Sequence, residues 1–245
     1  VDEPRAAAYF DFDRTVHDGD AGVLFGKELL RIRRRRLRDE ARGTLGWAGR
    51  NIAFEAWLGR IYAEATFLRL ASEARLVKRS RLLRKAYTMM KGLRIDDLRG
   101  LANDFVDEVV GQRLFPEARA EMESHRAAGR PVIVVSTGMR ILIEPIKRHL
   151  PVDDVIAIDL AAPGGVLDGQ IQGPLWGQEK AEAVRDYAHR HALSLPRSYA
   201  YSDHRSDIPF LRMAGHPVAV NPGFALAWHA RRRGWPIRRW RRSPA

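Results

Sequence analysis

Apolar residues fall into two regimes along the chain. One is a series of short, mostly β-branched or aromatic runs, each followed by polar residues: Ala6 to Phe10, then 131–135, 155–158, 198–201 and 217–220. Runs of four or five apolar residues bounded by turn formers predict buried strands of a parallel sheet, covered on both faces. Between them, helical spacing predicts helices over 116–126, 178–191 and, briefly, 207–213. Pro116 suits a first helical turn, and Gly129 ends that helix. Residues 139–150 read as a helix in which Pro145 sets a kink or a late start. Residues 161–171, with Pro163-Gly164-Gly165 and Asp168-Gly169, suit a hairpin. Pro236-Ile237 closes the series.

The other regime covers about residues 21–110, which hold no Pro and no alternating pattern. Leu24, Phe25, Leu29 and Leu30 fall at helical spacing. So do Phe54, Trp57, Leu58, Ile61 and Tyr62, and later Leu98, Leu101, Phe105, Val106 and Val109. Four or five helices are expected, broken at Gly43, Gly46, Gly49 and Gly92, and able to pack as a small bundle. Gly22, Trp47, Met89, Met90 and the remaining aromatics read as packing residues. The expected fold is therefore α/β, a doubly wound parallel sheet with an inserted helical domain. Residues 1–18 and 112–245 would form the core, and 19–111 the insert.

Composition narrows the chemistry. There is no Cys, so disulfides, zinc–thiolate sites and thiol nucleophiles are excluded, and a reducing, cytoplasmic compartment fits. No stretch approaches the roughly 20 apolar residues of a spanning helix. The first residue is Val rather than Met, which leaves a leader segment open. The net charge of +12 raises nucleic acid, an anionic membrane surface or an anionic substrate as partners. The charge is concentrated in two Arg-rich blocks, 31–38 and 231–242. Each contains apolar or aromatic residues: Ile32 and Leu37 in the first, Trp235 and Trp240 in the second.

In a parallel sheet, ligands bind beyond the carboxyl ends of the strands. The polar residues that follow the apolar runs are therefore the candidate chemistry. Asp11 and Asp13 follow the first run. Their i, i+2 spacing turns both carboxylates to one side, where they repel unless a divalent cation or a reaction uses the charge. One such carboxylate can attack as a nucleophile while the other moves a proton. Ser136, Thr137 and Gly138 follow the second run. A small hydroxyl with backbone N–H groups at a helix start suits a phosphoryl oxygen, and equally a plain helix cap. Lys180, near the start of a helix, can place positive charge on the same anion, or lie solvated beside Glu179 and Glu182. Asp203 and Asp207 follow the 198–201 run. They can ligate Mg²⁺ and orient its water, or simply favour a helix N-terminus.

The set Asp11-Phe12-Asp13-Arg14-Thr15-Val16, Val135-Ser136-Thr137-Gly138, Lys180 and Tyr201-Ser202-Asp203-His204-Arg205-Ser206-Asp207, in that order, resembles the haloacid dehalogenase superfamily of phosphatases. Nearly the whole chain takes part. The helical insert looks like the family's C1-type cap on a Rossmann-like core. The stretch from Ala219 to Ile237 resembles the phosphoserine-phosphatase-like IB branch.

The resemblance implies that Asp11 attacks phosphorus to form an aspartyl-phosphate. Asp13 then protonates the leaving alcohol and later activates water. It implies Mg²⁺ as cofactor, with Asp11, the Asp13 carbonyl and Asp203 as ligands and Asp207 supporting the metal water or Lys180. Ser136, Thr137, Gly138 and Lys180 would hold the phosphoryl group, and the cap would close over the site.

Three departures bear on substrate, one being that Ser202, His204 and Ser206 take the places of the family's usual fourth-motif residues. Arg14 stands where the family has a small residue, and Asp20 is the nearest counterpart of a substrate-facing Glu. His204 lies in the fourth motif loop, within reach of substrate, although a surface-loop role also fits it. His17, His204, His189 and His191 carry no metal-site spacing. The expected substrate is a small phosphomonoester such as phosphoserine, histidinol phosphate or a phosphorylated amino alcohol. An alternative is the same chemistry on a lysophospholipid or lipid phosphate at an anionic membrane. A nucleic-acid-binding role on this scaffold is argued against by the intact carboxylate set, which repels a polyanion unless metal is present.

Overall fold

The structure is a computed structural model that describes residues 3–26, 87–88, 90–173 and 177–241. The helices expected between 27 and 86, the basic block 31–38, Trp47 and Met89 lie outside the described residues. The chain divides into two compact units. One comprises residues 1–21, 102–159 and 172–245, and the other 22–101 and 160–171. The second unit is tied internally where the Gly92 N–H donates to the Leu167 carbonyl at 2.8 Å and the Leu167 N–H to the Leu93 carbonyl at 2.9 Å. Segment 160–171 thus packs with residues near 92, across a long stretch of sequence.

Seven strands form one sheet: β1 (Ala8–Asp11), β2 (Val132–Met139), β3 (Asp154–Leu160), β4 (Ile171–Gln172), β5 (Tyr199–Ser202), β6 (His216–Val220) and β7 (Ile237–Arg238). Their order is β4-β3-β2-β1-β5-β6-β7. The pairs β3/β2, β2/β1, β1/β5, β5/β6 and β6/β7 run parallel. Strand order reverses at β1 and β5, the switch point at which this architecture opens its ligand crevice. The helices are α1 (Ile95–Phe105), α2 (Pro116–Ala127), α3 (Arg140–Ile143), α4 (Gln178–Arg190), α5 (Ile208–Leu211) and α6 (Phe224–Arg233). Residues 21–26 are also helical. Among the described residues no helix is long and apolar enough to cross a membrane.

Alternation along the central strands splits the core in two. Ala7 and Tyr9 of the β1 segment, Ile133, Val135, Ile156 and Ala200 pack with Val184 of α4, Phe210 of α5 and Leu226 of α6. On the opposite face Phe10 stacks on Tyr201, ring centroids 4.3 Å apart, with His125 of α2 edge-on to Phe10 at 6.0 Å.

Two local expectations are corrected and one is met. Residues 139–150 do not form one helix: α3 ends at Ile143 and a 3₁₀ segment covers Glu144–Arg148. Pro145 has no N–H to continue the α ladder. The short helix expected over 207–213 is present as α5, preceded by a 3₁₀ turn at Arg205–Asp207. The stripe Leu98, Leu101, Phe105, Val106, Val109 is shifted at its end. A π turn at Val106–Val110 adds a residue to the helical turn, and Val110 rather than Val109 is fully buried.

Candidate active site

Strand pairing places Asp11 beside Val135 and Phe10 beside Tyr201. Asp11, Ser136 and Asp203 therefore emerge together at the carboxyl edge of β1, β2 and β5. All three are buried in spite of their polarity, as are Lys180 and Asp207. Buried polar groups of this kind require partners.

Lys180 supplies most of them. It lies in the first turn of α4 and is fully enclosed, only 1% exposed. Its Nζ donates to Asp11 Oδ1 at 2.5 Å and to Asp207 Oδ2 at 2.7 Å. Ser202 Oγ also donates to Asp207 Oδ2 at 2.7 Å, and Thr15 Oγ1 donates to Asp11 Oδ2 at 3.1 Å. Burial disfavours the Lys180 charge, but Asp11 and Asp207 outweigh it, and the ammonium titrates above its usual range. Burial drives the Asp11 carboxyl well above the ordinary carboxylate range. Lys180 opposes this, while Asp207 and Asp203 reinforce it. Asp203 is pushed up to about 7, chiefly by burial and then by Asp207, against the pull of Arg14 and Lys180.

Three buried carboxylates around one ammonium leave an excess of negative charge. That excess, and the all-oxygen donor set, fit a hard divalent cation such as Mg²⁺. Among the described residues no three His, Cys, Asp or Glu side chains converge into a complete metal cage. Mg²⁺ does not need one, since it takes one or two carboxylates and keeps several waters.

Asp13 is held differently. Its Oδ1 accepts from the Ala21 N–H at 2.8 Å and sits 3.0 Å from Nε2 of the fully buried His17. Arg14 is exposed with φ 58°, a conformation that favours glycine, and its N–H donates to the Gly19 carbonyl at 3.1 Å. Its charge acts on Asp203. Asp20 is half-buried immediately before the 21–26 helix.

Ser136, Thr137 and Gly138 do not stand at a helix start as expected. They continue β2, which resumes pairing at Met139 with Ile158 after a register shift, and α3 begins only at Arg140. The Gly138 N–H is spent on Ser136 Oγ at 2.9 Å. His204 bonds within its own loop, Nδ1 to Ser206 Oγ at 2.8 Å. A groove of about 610 Å³ lined by Ala181, Arg185, Leu195, Ile208 and Met213, among others, contains none of these carboxylates.

Thr15, His17 and Ser202 complete the site, and their contributions are not evident from the sequence pattern. The available signal was their place inside the motif loops, with Thr15 and His17 each four residues after an aspartate.

A family model for haloacid dehalogenase-like hydrolases matches residues 8–212. The chain belongs to that family. It is 32% identical to the inhibition of morphological differentiation protein of Streptomyces azureus over 235 residues, covering 96% of this chain and 78% of the relative. It is also 32% identical over 238 residues to phosphoserine phosphatase SerB1 of Mycobacterium tuberculosis, covering 96% of this chain and 71% of that one. A phosphoserine phosphatase solved as an analogue of its phospho-aspartyl intermediate superposes with a TM-score of 0.62 at 20% identity, covering 98% of this chain and 96% of the other. Within its family the chain is a phosphatase of the phosphoserine-phosphatase-like branch.

Proposed function

We propose that the chain is an Mg²⁺-dependent phosphomonoester hydrolase. It works through an aspartyl-phosphate on Asp11 and acts on a small metabolite of phosphoserine, histidinol-phosphate or phospho-amino-alcohol type. The observation that carries this reading is the buried Lys180 bridge between Asp11 and Asp207 at the sheet's switch point.

Phosphoryl transfer asks chiefly for positioning and for neutralisation of spread negative charge. Lys180 fixes Asp11 and presents its charge to the phosphoryl oxygens, while Ser136 offers its hydroxyl to them. An Asp11 oxygen attacks phosphorus as the ester P–O bond breaks, and the leaving oxygen takes the proton of Asp13. Asp13, now a carboxylate, removes a proton from water. That water attacks phosphorus, and the P–O bond to Asp11 breaks to release inorganic phosphate. Asp11, Asp203 and the Asp13 carbonyl would hold the cation, and Asp207 serves them by anchoring Lys180. Bound there, Mg²⁺ supplies neutralising charge for the transferred group. In this reading residues 19–111 are the substrate-selecting cap.

The test is phosphate release from a panel of phosphoserine, histidinol phosphate, phosphocholine, lysophosphatidate and an aryl phosphate. It is run with and without Mg²⁺ and beside Asp11→Asn. Turnover that needs Mg²⁺ and disappears in the variant supports the reading. A folded protein inactive on every member, with Mg²⁺ present, counts against it.

A second reading, a lipid phosphate at an anionic membrane, has one observation in its favour. Phe224 is 87% and Trp228 52% exposed on α6, with Arg232 stacked on Trp228 at 4.8 Å. From Ile208 to the C-terminus the sequence holds eight arginines and neither Asp nor Glu. Basic residues beside exposed aromatics favour anionic interfaces. Trp235 and Trp240 do not contribute, being half-buried and buried. Sedimentation with anionic vesicles, followed across a salt series, separates the two readings. No co-sedimentation at low salt removes the second.

A further inference from the structure

We propose that His17 is a positioning residue that decides which oxygen of Asp13 carries the proton transferred to the leaving group. This rests on the reading of Asp13 as general acid and base.

The argument begins with the loop after β1. The Val16 N–H returns to the Phe12 carbonyl at 2.9 Å, closing one turn. The Asp18 N–H donates to the Arg113 carbonyl at 2.8 Å, and the Phe115 N–H to the Val16 carbonyl at 3.0 Å. The loop is thus pinned on both sides of His17. The imidazole is fully buried and packs 4.6 Å from the Phe12 ring. Only its Nε2 meets a polar group, Asp13 Oδ1 at 3.0 Å, and Nδ1 has no partner among the described residues.

That arrangement selects a tautomer. A buried N–H without an acceptor is rarer and costlier than a bare acceptor lone pair. Hydrogen on Nε2 and a bare Nδ1 is therefore the form that fits, with Nε2–H donating to Oδ1. The Ala21 N–H points at the same oxygen from the start of the 21–26 helix, at 2.8 Å. Two donors converge on Oδ1, so the Asp13 proton belongs on Oδ2. The Asp13 side chain remains 30% exposed while His17 is 0% exposed, so the free oxygen faces away from the buried ring.

The consequence is balanced over both steps. As the ester P–O bond breaks, its electron pair stays on the leaving oxygen, which takes the proton from Oδ2. Oδ2 is then the oxygen that removes a proton from the attacking water. Oδ1 keeps the same two donors throughout, so the carboxyl need not rotate between steps, and catalysis gains from that pre-organisation.

The experiment compares wild type with His17→Leu, His17→Gln and Asp13→Asn. Each is assayed for kcat/KM on an alkyl phosphomonoester and on an aryl ester whose leaving group departs without a proton. His17→Leu should lower the alkyl value about tenfold or more relative to the aryl value. His17→Gln, which keeps an N–H near the Nε2 position, should restore most of it. Asp13→Asn should show the same selective loss. A general packing defect lowers both esters alike, so equal losses in His17→Leu, or none, overturn the proposal. If Asp13→Asn alone is selective, His17 is not a positioning residue and the reading of Asp13 stands. If Asp13→Asn is not selective, that reading fails first. Should His17→Leu not fold, the ¹⁵N signals of the His17 ring in wild-type protein decide. Hydrogen on Nε2 with bare Nδ1 is expected, and hydrogen on Nδ1 overturns the proposal.

Discussion

Lys180 and Asp11, 169 positions apart in sequence, meet at 2.5 Å inside the protein, with the lysine 1% and the aspartate side chain 12% exposed. An ammonium is buried only when its charge is answered. Here Asp11 and Asp207 both answer it, and Ser202 fixes Asp207 from the other side. The helix that delivers Lys180 and the strand that delivers Asp11 are thereby locked together at the carboxyl edge of the sheet.

Replacing Lys180 with Met should cost both stability and activity. It leaves Asp11 and Asp207 buried without the cation they share. Removing one partner of a buried pair costs about 3–5 kcal/mol. The loss should be larger at pH 8 than at pH 5, because at the lower pH the stranded carboxylates take up protons. Urea denaturation at the two pH values checks this. Phosphatase activity should fall at least about a hundredfold. A variant as stable as wild type would mean that the bridge does not hold the site together.

A second prediction concerns pH and metal. Asp203 is raised from 3.8 to about 7, mainly by burial. The folded chain therefore keeps a proton that the unfolded chain loses between about pH 4 and pH 7. Asp203's contribution to the stability of the metal-free protein therefore falls with rising pH across that window and levels off above it. His125 runs the other way. Burial first, then Arg130, lower it to about 4, so its contribution grows as pH rises from about 4 to about 6.5. The two slopes oppose each other in a simple titration, but His125 is common to the metal-free and Mg²⁺-loaded protein and cancels in their difference. The Tm increment given by saturating Mg²⁺ should grow from about pH 5 to about pH 7 as Asp203 gives up its proton to the cation. An increment independent of pH would exclude Asp203 as a ligand.

How much of this the sequence could show depends on the range of the interaction. The sheet was legible because each β-branched run buries both faces, and runs such as Val132–Val135 read alike in any context. Asp11, Asp203 and Lys180 stood out only jointly, through the order of the motifs, since a lone lysine near a helix start reads equally as a solvated one. The continuation of β2 through Ser136, Thr137 and Gly138 was not, since small polar residues after an apolar run look the same as a helix cap. The buried position of Val110 depends on a π turn that no spacing announces. His17 depends on a loop closed through Arg14 at φ 58° and pinned by Arg113 and Phe115, about a hundred residues away.

The polar chain behind the sheet gives a contrasting prediction. Arg130 Nε donates to His125 Nδ1 at 2.8 Å, His125 Nε2 lies 2.7 Å from Tyr201 Oη, and that hydroxyl donates to Glu121 Oε1 at 2.7 Å. Arg130 fixes the tautomer, so Nε2 is the donor to Tyr201. Tyr201→Phe removes the middle of the chain and leaves the His125 N–H without its acceptor. A cost of about 1–3 kcal/mol is expected in urea denaturation. Phosphatase kcat/KM should not change, because the Tyr201 ring still stacks on Phe10. Lost activity at full stability would place this network in the mechanism.

Gly138 tests whether Ser136 positions the phosphoryl group. A Cβ at Gly138 would lie 3.2 Å from Ser136 Oγ and 3.5 Å from Ile143 Cδ1. The Ile143 contact is ordinary, but the Ser136 contact requires a shift of a few tenths of an ångström. Ser136 is 1% exposed and has little room to give way. Gly138→Ala should therefore cost only about 1 kcal/mol of stability, as mild overpacking does. A displaced hydroxyl should nevertheless lower kcat/KM about tenfold, since small misplacements are expensive at a reacting centre. Ser136→Ala should cost a similar factor by deleting the hydroxyl. The two changes touch the same atom, so their effects should not add. Once Oγ is gone, the new methyl at 138 has nothing to displace, and the double variant should match Ser136→Ala alone. Losses that multiply in the double variant would mean that Gly138 acts on the substrate by its own backbone rather than through Ser136.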